Sequence, residues 1–128
     1  MQSFKHSSGV LNKNNYTEEL KIKMDDYAHD VYALTRSFPK EELYGITSQL
    51  RRAALSVVLN YIEGYARQKA NVKYNFWEIS YGSLKESIYL LHFSMVEGYL
   101  SKEDYKKCLK KADEIGAMLW KSLNSIKR

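Results

Sequence analysis

The sequence predicts an all-α protein, an antiparallel up-down-up-down four-helix bundle that assembles with copies of itself. Three observations carry that expectation. Apolar residues recur at three-and-four spacing over four long stretches. No stretch alternates with the period of two that a half-buried strand needs. Pro39, Gly45 and Gly98 punctuate the pattern and leave only short connections, which favour antiparallel neighbours.

The first helix is expected to begin near Asn15 or Thr17, with Asn15 and Glu18 spaced as a capping box. Leu20, Met24, Tyr27, Ala28, Val31 and Leu34 mark its buried face. Pro39 ends it, because the ring disfavours helical geometry at Phe38 and removes a backbone donor. The second helix is placed at about Thr47 to Gln68, with Leu50, Ala53, Ala54, Val57, Val58, Tyr61, Ile62 and Tyr65 on one side. The third runs from about Asn71 to Glu97 along Trp77, Ser80, Leu84, Ile88, Leu91 and Met95. Gly98 suits the left-handed conformation that closes it. Ser101 and Asp104 then cap a fourth helix, whose stripe is Tyr105, Cys108, Leu109, Ala112, Ile115, Leu119 and Ile126.

Helices two and three are apolar over a wider arc than one core can use. Leu55 and Leu59 lie opposite the buried stripe of the second helix, and Ile79, Leu90 and Phe93 lie off that of the third. These five residues are the expected contact between copies. Small residues, among them Gly82 and Ser83, are read as room for close helix packing.

At 128 residues the chain has the length of one domain. Residues 1–15, rich in Ser, Asn and Lys, are read as a flexible arm and residues 16–128 as the bundle. The single cysteine excludes an internal disulfide. Without a hydrophobic leader or a long apolar run, the expectation is a cytoplasmic protein with no membrane partner.

The blocks FPKEELYG, TSQLRRAA and NYIEGYAR, then GSLKES and EGYLSKEDY, resemble the four-helix-bundle family first noted in intervening sequences of bacterial 23S rRNA genes. The resemblance runs from about Tyr16 to the C-terminus, with Val58 where many members carry proline and Lys21 where tryptophan is common. That family is distantly similar to the accessory variability determinant of diversity-generating retroelements, a pentamer that binds nucleic acid beside a reverse transcriptase. The resemblance therefore implies a homopentamer, a nucleic-acid ligand and a reverse transcriptase as partner.

Catalytic signals are thin. A carboxylate-bridged metal pair needs inward Glu residues and two Glu-x-x-His repeats, and Asp26 with His29 is the nearest approach. No metal, cofactor or catalytic residue is assigned. Cys108 reads as a small core residue, and Glu63 as a one-turn partner for Arg67. Glu86 has no assigned role.

Charge says more. The chain carries a net +5 with a pI of about 9.2, and Glu18, Glu19, Asp25, Asp26 and Asp30 make the first helix acidic. Arg51, Arg52, Arg67, Lys69 and Lys73 are the first basic candidates, of which Arg67, Lys69 and Lys73 flank the connection between helices two and three close to Tyr65 and Tyr74; Lys106, Lys107, Lys110 and Lys111 form a second group. Cations hold phosphate and aromatic rings stack on bases. The expected function is a non-enzymatic homo-oligomer that binds RNA or DNA through these residues. The alternative is a protein-interaction scaffold without a nucleic-acid role.

Overall fold

The computed structural model describes residues 13–127, with side chains from residue 15. Four helices account for most of them: α1 (Lys13–Thr35), α2 (Ile46–Tyr65), α3 (Ala70–Val96) and α4 (Lys102–Asn124). No strand occurs among the described residues. The arm expected over residues 1–15 lies largely outside them, but residues 13–15 belong to α1. Asn15 is therefore two residues inside the helix, where it cannot be its N-cap.

Contacts across the helix pairs establish the topology. On α1 and α2, Thr35 pairs with Arg51 at one end and Lys21 with Tyr65 at the other. On α2 and α3, Val57 meets Ser80 and Tyr61 meets Trp77. Tyr81 meets Trp120 and His92 meets Tyr105 across α3 and α4. Lys111 pairs with Asp30, and Tyr16 with Met118, across α4 and α1. In each pair one residue number rises as the other falls, so all four contacts are antiparallel and the bundle runs up-down-up-down.

The interior is built from Leu20, Met24 and Val31, Leu50 and Val57, Leu84 and Leu91, and Ile115 and Leu119, all essentially inaccessible to water. Tyr27 puts a hydroxyl among them without leaving it unpaired. Its Oη donates to Ser87 Oγ at 2.8 Å, and Ser87 donates its own proton to the Leu84 carbonyl. Burial pushes the Tyr27 phenol far above its ordinary pKa, so it remains a neutral donor.

The ends behave as the residue types dictate. Gly98 adopts φ +83°, and the Tyr99 and Gly98 amides reach back to the Ser94 and Met95 carbonyls, closing α3 in a Schellman motif. Ser101 Oγ accepts from the Asp104 amide at 3.0 Å and caps α4. Between α1 and α2, Pro39 opens a short 3-10 turn, Lys40–Glu42. Tyr99 donates to Glu42 there, tying the two connections at that end of the bundle together.

Gly82 contradicts its expected packing role. A methyl group built on it would meet nothing within 4 Å. The close approach belongs instead to Gly64, whose missing side chain makes room for the indole of Trp77.

Candidate functional site

Two surfaces stand out, and both depend on how tightly α2 and α3 pack. Ser80 Oγ donates to the Val57 carbonyl at 2.6 Å, Trp77 Nε1 donates to the Tyr61 carbonyl at 3.0 Å, and the Ser56 and Ser83 hydroxyls are 2.7 Å apart. Outside this seam, apolar side chains are left pointing away from it. Leu59 is 58% exposed and Ile79 51%, and Leu55 and Phe93 are also exposed.

Leu90 departs from the expectation. It is only 8% exposed and belongs to the core. Two turns separate it from Ser83, the residue bonded to α2, so it faces α2 and not solvent. Its place on the outer stripe of α3 is taken by Tyr89, which the apolar pattern does not single out.

The second surface lies at the end of the bundle where α2 turns into α3. Tyr65 sits on the last turn of α2 and is 43% exposed. The Lys21 and Lys73 ammonium groups stand 5.3 and 5.6 Å from the centre of its ring. Lys21 comes from α1, a contribution that sequence distance conceals. Arg67 is held one turn from Glu63 at 2.7 Å, with its guanidinium 5.1 Å from the Phe76 ring. Lys69, at the start of α3, is exposed and forms no ion pair among the described residues.

The other basic candidates separate by position. Arg51 turns inward, donating to Thr35 Oγ1 at 2.8 Å and covering the Tyr32 ring, which locks the end of α1 onto α2. Arg52 is exposed beside the apolar face, away from the Tyr65 end. On α4, Lys111 is bound to Asp30, whose carboxylate raises the lysine pKa, and Lys107 lies 3.6 Å from Glu103. Lys106 and Lys110 are exposed without ion pairs among the described residues. The acidic residues of α1 thus offset part of the α4 stripe.

Trp120 is a feature that the sequence pattern does not mark. It is 55% exposed, its ring centre is 5.6 Å from that of Tyr81, and Lys85 lies over Tyr81. Its position beside the buried stripe of α4 gives no periodic signal.

His29 lies 3.2 Å from Asp25, one turn away, instead of pairing with Asp26. Among the described residues no three His, Cys, Asp or Glu side chains gather as a metal group. Cys108 is buried, and burial pushes its thiol up to about 11. Its alkylation by iodoacetamide at pH 8 is expected to be far slower in the native protein than in urea. Equal rates would place the thiol at the surface.

Fold and surfaces together define a four-helix bundle with an apolar face on α2 and α3 and a cationic, aromatic end beside it. The chain belongs to the 23S rRNA-intervening sequence protein family, whose model matches residues 18–121. It is also similar to the crystal structure of a protein of unknown function from the S23 ribosomal protein family of Bacteroides thetaiotaomicron. That likeness has a TM-score of 0.77 at 20% identity, covers 83% of this chain and 99% of the other, and shows the shared fold. No curated protein matches the chain. No helix among the described residues is long and apolar enough to cross a membrane.

Proposed function

We propose that this protein is a non-enzymatic, homo-oligomeric bundle that binds RNA or DNA at the α2–α3 end. The observation that carries the reading is the half-exposed Tyr65 ring with Lys73 and Lys21, the latter also paired with Glu18, beside it, and Lys69 nearby without an ion pair among the described residues. A base can stack on such a ring while the ammonium groups hold its phosphates, an arrangement indifferent to sequence. The exposed face of α2 and α3 supplies the contact between copies. Repeating a weak site around an assembly raises avidity for a long polymer. Five copies, and a reverse transcriptase as partner, follow from the family resemblance alone.

The test changes Arg67, Lys69 and Lys73 together to glutamine and follows binding to unrelated oligonucleotides over a salt series, with mass measured on the same samples. Affinity should fall for every sequence, and the salt slope should flatten by about 0.7 to 0.9 for each phosphate that is no longer neutralised. A matching loss on changing Lys106, Lys107, Lys110 and Lys111 alone would move the site to α4. If the intact protein binds nothing at low salt, the scaffold reading takes precedence. Trp120 favours that second reading, since exposed tryptophans anchor protein contacts.

A further inference from the structure

We propose that Arg52 on α2 and Glu86 on α3 form an ion pair between neighbouring copies of this chain. The proposal rests on the self-association proposed for the outer face and names the polar contact that would set its register.

Both residues are exposed, and both line a depression of about 370 Å³ on the outer side of the α2–α3 seam. The Ser56–Ser83 bond crosses its floor. Arg52 lies one turn from Ser56, and Glu86 one turn from Ser83; because the helices are antiparallel, these steps bring both charges to the same level. Other opposite charges on this protein have found each other, including the exposed pairs Glu63–Arg67 and Glu103–Lys107. Arg52 and Glu86 form no ion pair among the described residues.

Their surroundings decide the occupant. Leu55 and Leu59 continue the stripe of Arg52 along α2, and Ile79 continues that of Glu86 along α3. A partner that covered these apolar side chains would also strip water from both charges, which is costly unless each receives a counter-charge. A second copy brings both. When the α2 half of the face on one copy meets the α3 half on the next, every joint uses one Arg52 and one Glu86. A closed assembly leaves neither over. Gly82, one turn before Glu86 and with nothing within 4 Å of where its methyl would be, leaves space for the approaching chain. Arg52 is then a subunit-contact residue and not a phosphate ligand.

Charge reversal tests this. Arg52→Glu and Glu86→Arg, made singly, set like charges against each other, and each should raise the concentration for half-assembly at least tenfold while helicity is retained. The double variant restores an opposite pair with its sign exchanged and should recover most of the assembly. Arg52→Gln with Glu86→Gln, lacking repulsion, should assemble better than either single reversal. Added salt should narrow the differences. Single reversals that assemble like the wild type, or a double variant no better than the singles, would overturn the pairing while leaving self-association intact. A monomeric wild type would remove both.

Discussion

Gly64→Ala is expected to destabilise the protein by about 2 kcal/mol, although alanine is the better helix former by about 1 kcal/mol. The added methyl would stand 2.5 Å from Trp77 Cδ1 and 2.7 Å from Nε1. Trp77 cannot easily yield. Its ring is stacked on Tyr61 at 5.0 Å and 17°, and Nε1 donates to the Tyr61 carbonyl. Moving the indole sacrifices that hydrogen bond, worth about 1 kcal/mol, and overpacking adds about 1–3 kcal/mol. The clash therefore outweighs the gain in propensity. Gly82→Ala should do the reverse, stabilising the protomer by up to about 1 kcal/mol because no neighbour opposes the methyl. Urea unfolding of the two variants, compared at a concentration where the protein is dissociated, reads the signs directly. A Gly64→Ala protein as stable as its parent would mean that the tryptophan repacks at no cost.

The two glycines also show how far the sequence could be read. Both sit in blocks that mark the family, yet Gly64 is the one enclosed by the neighbouring helix, while Gly82, read as room for helix packing, faces open space. What spacing cannot show is the neighbour across the seam. Gly64 is required by an indole contributed by α3, and no pattern within α2 contains that information. Helix order and the caps at Gly98 and Ser101 were legible because they depend on residues close in sequence. Tyr65 reads as core on spacing, yet α2 ends on it and leaves the ring half uncovered. Lys21 reaches that ring from far earlier in the chain, a link that only the packing of α1 on α2 creates. Leu90 falls on the wrong face for a related reason. Ser87 and Ser94, which look polar, are buried with their hydroxyls bonded to carbonyls of their own helix, so the buried arc of α3 extends farther toward α2 than its apolar residues mark.

That correction separates two kinds of apolar residue on α3 and gives the most direct test of the outer face. Leu59→Glu and Ile79→Glu, together, are expected to break the assembly into smaller species with helicity and unfolding midpoint nearly unchanged. Both side chains are already more than half exposed in the protomer, so a carboxylate there loses no water until a second copy arrives. Covering each in an assembly would contribute about 1.5–3 kcal/mol in its apolar form, and covering an unpaired charge instead adds a penalty of several kcal/mol. The combined effect on association should exceed a hundredfold. Leu90→Glu should behave differently, because its side chain is enclosed by the protomer's own core. It should lower stability by several kcal/mol whatever the oligomeric state. Light scattering and circular dichroism on the same samples distinguish the outcomes. A wild-type protein that is monomeric at micromolar concentration, or a Leu59/Ile79 variant of undiminished mass, would remove the outer face as the subunit contact. Loss of helicity in that variant would mean that the protomer itself needs those two side chains.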